Sequence, residues 1–302
     1  MKTIIRFFVL ITSFVSFAQQ DAQYSQYMYN TITVNPAYAG SRGVLSLFGL
    51  HRTQWVGIDG APVTNAFSMH TPIDNSRVGI GASFLNDRIG PTIENSISVD
   101  ASYTIPTSET YKLSFGVKGR GSFMNLDASQ LNPTDQNDPQ FQNFSKFYPN
   151  VGAGVYFHSN KTYLGFSIPQ FIDTKRFNNN DLKIFTQSIT YYFIAGHIYQ
   201  LNPEIKFKPA LLTKIERGTP LQVDASATFM FNDKFVMGAS YRWDASVSVM
   251  AGFQVSDGLY IGYAYDLETT KLRKYNSGSH EVFLRFELFD NKNKVTSPRL
   301  FF

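Results

Sequence analysis

Five histidines are the only side chains here that titrate near neutral pH unperturbed: His51, His70, His158, His197 and His280. A metalloenzyme or hydrolase needs such groups gathered, as in a His-Glu-x-x-His turn, or set beside an elbow serine or a phosphate-cradling glycine loop. None of those spacings occurs. His51, next to Arg52 and near Asp59, is the one grouping that resembles an acid–base pair. A wall histidine with a hydrogen-bond partner is the simpler reading. The stretch Asp127–Phe147 is rich in Asn, Gln, Asp and Pro, but its oxygen ligands lack the spacing of a calcium loop. It reads as a solvated loop or as a surface for a partner. Cysteine is absent, which removes disulfides, thiolate metal sites and cysteine nucleophiles. The sequence therefore offers no catalytic residue, no metal site and no cofactor.

Chemistry of recognition is better represented. Between Asp21 and Pro62, Tyr24, Tyr27, Met28, Tyr29 and Tyr38 are interleaved with Gln23, Gln26, Asn30 and Asn35. Such side chains bury a ring face while the polar end keeps a hydrogen bond. Asn35-Pro36 is a turn signal, with Asn35 biased toward extended backbone, and Gly40 closes the unit. Further on, Arg52, Gln54 and Trp55 precede Gly57, Gly60 and Pro62, the pattern of a loop between two strands. The anchoring or positioning residues are expected to be Tyr24, Tyr27, Tyr29, Asn35, Pro36, Arg52, Gln54 and Trp55. The first half of this stretch is either a plug that packs on the rest of the protein or a contact surface for a partner.

The elements that position these residues follow from composition and periodicity. Aromatic residues make up 16% of the chain and charged residues only 17%. That balance suits membrane strands with aromatic girdles. Lys2 and Arg6, the apolar run Phe7–Phe17 and Ser16-Phe17-Ala18 read as a secretory signal over residues 1–18; a transmembrane anchor would need a longer run. Without Lys2 and Arg6 the basic count falls from 27 to 25 against 23 acidic residues, so the formal charge drops from +4 to +2. Such a balance gives no reason to expect a nucleic-acid partner.

After Ala18 no apolar run reaches the ~18 residues of a spanning helix. Period-two alternation recurs instead. Val247, Val249, Ala251 and Phe253 alternate with Ser246, Ser248, Met250 and Gly252, and Val282, Leu284 and Phe286 with Phe283, Arg285 and Glu287. About fourteen such strands are expected, at approximately 43–52, 62–71, 77–86, 92–106, 111–126, 148–159, 161–170, 185–200, 203–216, 220–231, 234–243, 245–256, 258–268 and 279–289. Connections alternate between tight turns such as Asn232-Asp233 and long loops such as Thr53–Ala61, Asp127–Phe147, Phe171–Ile184 and Glu268–Gly278. Short turns on one side and long loops on the other match the periplasmic and outer ends of a barrel. The expected fold is an all-β, closed antiparallel transmembrane barrel of outer-membrane type over residues 43–290. Residues 19–42 form a periplasmic or plug segment, and residues 291–302 a C-terminal tail.

The polar face carries both signs, with Glu94, Asp100, Lys118, Arg120, Arg242, Arg285 and Glu287 expected in the lumen. Cross-strand ion pairs filling the interior are one reading. A solute channel is the other, although a selective constriction more often carries one sign.

The segments SQYMYN…VNPAYAG and HRTQWVGIDGAPVT, at this separation, resemble the opening signature of the PorP/SprF family of outer-membrane proteins. The resemblance runs through the mature chain to the terminal SPRLFF. It implies a lipid-embedded barrel of the type IX secretion and gliding-motility apparatus. It further implies that the barrel binds the C-terminal domain of a secreted cargo or cell-surface adhesin, with periplasmic secretion or motor components as further partners.

Overall fold

A computed structural model describes residues 27–130, 143–172, 174–177 and 183–288. The signal segment, Tyr24 and the C-terminal tail lie outside the described residues. The wall consists of fourteen strands. They are β1 (Leu45–Thr53), β2 (Val63–Pro72), β3 (Val78–Ile89), β4 (Thr92–Pro106), β5 (Lys112–Leu126), β6 (Phe144–His158) and β7 (Thr162–Ile168). There follow β8 (Thr190–His197, carried on by Tyr199–Gln200), β9 (Ile205–Glu216), β10 (Gln222–Phe231), β11 (Phe235–Arg242), β12 (Ser246–Gln254), β13 (Leu259–Glu268) and β14 (Ser279–Leu288).

Each strand pairs antiparallel with its neighbours in sequence, and β1 pairs with β14 from Leu45↔Leu288 to Thr53↔His280. The sheet therefore has no free edge, the condition for crossing a medium that cannot hydrogen-bond a backbone. Alternation sorts side chains to two faces. Along β12, Ser246, Ser248, Met250, Gly252 and Gln254 are enclosed while Val247, Val249 and Phe253 point outward. The pattern is inverted relative to a water-soluble protein. Val99 and Val117 are 60% and 61% exposed, whereas Lys208, Glu281 and Arg285 are buried.

Differences from the expected boundaries have local causes. β6 begins at Phe144, so the polar loop before it is shorter than the expected 127–147. β8 begins at Thr190 because residues 183–187 pair instead with Thr174–Phe177 in a small hairpin outside the wall. Pro169, just past β7, lacks the N–H that would carry the ladder further. β3 runs on to Ile89 and turns tightly at Gly90-Pro91, with Gly90 at φ 54°.

Val99 lies midway along β4 and faces outward. Val99→Arg is expected to lower folding stability in vesicles by about 2–4 kcal/mol, whereas Thr110→Arg, in a short turn, leaves it nearly unchanged. Urea titration of the heat-modifiable gel mobility measures both, and equal midpoints would contradict a lipid-facing Val99.

Candidate functional site

The interior is occupied by the chain's own N-terminal segment. Three short 3-10 turns, Tyr27–Tyr29, Thr31–Thr33 and Pro36–Tyr38, lie inside the ring of strands. Such a segment has no ladder to satisfy its carbonyls, so the wall must supply donors. Lys118 Nζ donates to the Ile32 carbonyl at 3.1 Å, Ser167 Oγ to Val34 at 2.7 Å and Ser102 Oγ to Ala39 at 2.7 Å. Ser68 Oγ donates to Asn30 Oδ1 at 2.7 Å, and the Gly40 N–H donates to His70 Nδ1 at 3.2 Å.

Asn35 is the centre of this seat and is fully enclosed. Its Oδ1 accepts the Ala37 N–H at 3.0 Å, capping the turn that Pro36 opens. Its Nδ2 donates to the Val155 carbonyl of β6 at 3.0 Å. The segment fits because inward positions of the facing strands are glycines. A Cβ on Gly154 would meet the Asn35 amide, one on Gly116 the Pro36–Ala37 backbone, and one on Gly79 the Ala39 carbonyl.

Two further anchors hold the segment at its ends. The Tyr29 ring stacks on Tyr260 at 5.5 Å and tilts against Phe283 at 4.8 Å, with Lys208 and Arg285 over it at 5.2 and 5.6 Å. At the exit, Arg42 pairs with Glu287 of β14 and donates to Tyr38 Oη at 3.4 Å.

Charges inside the ring are matched across strands. Lys118 faces Asp100 at 2.9 Å, Arg120 faces Glu94 at 3.5 Å, and Arg242 Nε donates to Asp224 at 2.8 Å. Arg285 lies 4.0 Å from Glu287. Toward the long-loop end, Arg52 pairs with Asp266 at 2.6 Å and Glu281 at 3.1 Å.

The anchoring residues expected from sequence divide into two groups. Tyr29, Asn35 and Pro36 sit in the seat and touch the protein's own wall, while Tyr27 opens the first turn. Arg52, Gln54 and Trp55 lie at the other end. Gln54 accepts from Arg52 at 3.5 Å, and Trp55 Nε1 donates to Glu268 at 2.9 Å. The first half of the signature thus runs inside the barrel and leaves at the short-turn end, while the second half lies at the long-loop end. His51 and Arg52 point to opposite faces, since neighbours on a strand must, so they form no acid–base pair. Among the described residues no three His, Asp or Glu side chains gather at metal-ligand spacing.

Sequence reading passed over the glycine sockets and the cage residues Lys208, Tyr260 and Phe283. The available signal was glycine recurring at inward positions, at Gly116, Gly154 and Gly165 on the adjacent β5, β6 and β7 and at Gly79 on β3.

A lipid-facing closed barrel, plugged by its own N-terminal segment and lined with paired charges, defines an outer-membrane protein of the strand-spanning class. The model of the type IX secretion system membrane protein family PorP/SprF matches residues 16–286, and the chain belongs to that family. No curated protein matches it in sequence. Among solved structures it is similar to the CymD monoaromatic hydrocarbon channel, at 12% identity and a TM-score of 0.48 over 88% of this chain and 94% of that one. The P. putida toluene transporter TodX follows at 11% identity and 0.46, over 85% and 92%. The KdgM porin stands at 8% and 0.40, over 81% and 99%.

Asn35→Ala removes the partner of the Val155 carbonyl and of the Ala37 N–H. It is expected to destabilise the barrel by about 1–3 kcal/mol. The urea midpoint in detergent micelles measures this, and an unchanged midpoint would mean that the seat contributes nothing to stability.

Proposed function

We propose that this chain works as a docking barrel of the type IX apparatus. It binds the C-terminal domain of a secreted or surface-anchored cargo at its long-loop end, and periplasmic secretion or motor components at its short-turn end. It acts by binding, without catalysis and without passing solutes. The observation that carries this reading is the occupied interior. Residues 28–40 fill the seat between facing walls, fastened by wall donors to the carbonyls of Ile32, Val34 and Ala39. An interior so filled leaves the two ends as the working surfaces. The long-loop end is held in shape for such a role: the Val56 N–H donates to Gly278 at 2.9 Å and the Ser277 N–H to Val56 at 2.8 Å, joining two loops. A preordered surface loses less freedom on binding than a mobile one.

Two measurements test the proposal. Native barrel, extracted in mild detergent and captured by a tag, is expected to bring down a large secreted protein through its C-terminal domain. Recovery of neither a secreted nor a periplasmic protein would overturn the reading. In planar bilayers the wild type is expected to conduct poorly, while Gly116→Val, whose added carbons meet the Pro36–Ala37 backbone, conducts well. High wild-type conductance that is lost on changing Lys118 or Arg120 would instead favour a passive channel for small solutes.

A further inference from the structure

The outer face carries a second constructed feature, unrelated to the plug. Going up the first strands toward the long loops, the outward apolar side chains are interrupted by one polar row, beyond which Val63 and Ile93 stand with Arg88. Leu47 gives way to His51, Met69 and Phe67 to Asn65, Ile80 and Phe84 to Asn86, and Val99 and Ile97 to Asn95. These four residues are direct cross-strand partners: His51↔Asn65, Asn65↔Asn86 and Asn86↔Asn95. Their side chains form one ladder. His51 Nδ1 meets Asn65 Oδ1 at 2.8 Å, Asn65 Nδ2 donates to Asn86 Oδ1 at 3.2 Å, and Asn86 Nδ2 donates to Asn95 Oδ1 at 2.8 Å. Aromatic residues usually mark this level of a barrel. They do so at Phe123 and Phe147, next in the same row, whereas amides take their place over β1 to β4.

Just above the ladder, loop 54–62 overhangs the outer wall and encloses a cavity of about 530 Å³. Gln54, Trp55, Asp59, Arg88, Asn125 and Asp127 line it. The overhang is tied down at both sides, since the Gly90 N–H donates to Gly60 at 2.9 Å and Trp55 Nε1 to Glu268. Trp55 holds a left-handed backbone, φ 47°, a cost that the surrounding bonds sustain.

We propose that the ladder and the cavity above it form a site for the sugar headgroup of an outer-leaflet glycolipid. The position selects the ligand. The ladder lies one row below the long loops, where outward Val63 and Ile93 stand beside Arg88, so a group at that depth meets the junction of lipid tails and headgroups. The chemistry agrees. Asn and Gln amides each offer donor and acceptor in one plane, as hydroxyl-rich ligands require, and one cation with two carboxylates leaves the cavity at about −1, which suits neutral hydroxyls better than a phosphate. Each amide in the ladder keeps hydrogen-bonding capacity beyond its ladder bond, which lipid tails cannot satisfy.

The test uses full-length barrel in nanodiscs of phosphatidylethanolamine with lipopolysaccharide added, compared with nanodiscs lacking it. Native mass spectrometry after re-extraction counts lipopolysaccharide retained per barrel. The variant Asn65→Leu/Asn86→Leu/Asn95→Leu is expected to retain about tenfold less or lower still, given the usual worth of three hydrogen bonds. Arg88→Leu/Asp59→Leu, which leaves the four ladder residues in place, is expected to retain less as well, and keeps the test decisive if the triple variant folds poorly. Soluble core oligosaccharide added alone separates sugar recognition from capture by the acyl chains: its competition with lipopolysaccharide supports the site. Equal retention by wild type and both variants would overturn the proposal. So would a loss confined to a co-purified membrane protein, which would make the ladder a protein–protein contact. Cargo capture is read separately and is independent of this outcome.

Discussion

Everything in this molecule follows from the inability of hydrocarbon to hydrogen-bond a peptide group. Backbone exposed to lipid must be paired within the protein, so the strands close on themselves through β1 and β14. Closure then creates an inside that is sealed from lipid and must be filled. The inverted distribution of side chains, valines outward and lysines inward, is the visible result. A barrel of this size has room for more than its own wall side chains, and the N-terminal segment takes up that room. It does so as irregular backbone, which is tolerated at membrane depth only where protein surrounds it.

The charges inside obey the same constraint. An unpaired ion in such an interior costs several kcal/mol of lost hydration. Interior carboxylates and cations accordingly sit close to one another, across neighbouring strands at Asp100 and Lys118 or Asp224 and Arg242, and along one strand at Lys214 and Glu216. Arg42 and Arg52 extend this to the two ends, one tying the plug's exit to Glu287 and the other joining Asp266 and Glu281. Mixed signs held this closely serve to fix geometry, whereas a conducting pore needs ligands that release what they bind.

Much of the wall was legible in the sequence because period two is a local signal. Outward Val247, Val249 and Phe253 announce a lipid face from one strand alone. The tight turns, such as Asn232-Asp233, and the loop over 54–62 were legible for the same reason. Strand ends were less so: β8 begins later than its apolar pattern implies because residues 183–187 found another partner. The seat was only half legible. Tyr29 and Asn35 stood out by type, but nothing near them in sequence says what they touch, because Tyr260, Phe283 and Val155 are distant along the chain. The glycines that receive Asn35 and Ala37 are common residues, and they gain meaning only when neighbouring strands bring them together.

The plug is attached to both halves of the wall, and this bears on the order of construction. Asn35 lies against β6 and β7, yet Tyr29 rests on Tyr260 and Phe283, and Arg42 reaches Glu287, one residue before the described wall ends. Although this segment is synthesised ahead of every strand, half of its cradle is missing until the last strand has been delivered. The segment therefore has its full set of contacts only when β13 and β14 stand in place beside β6 and β7.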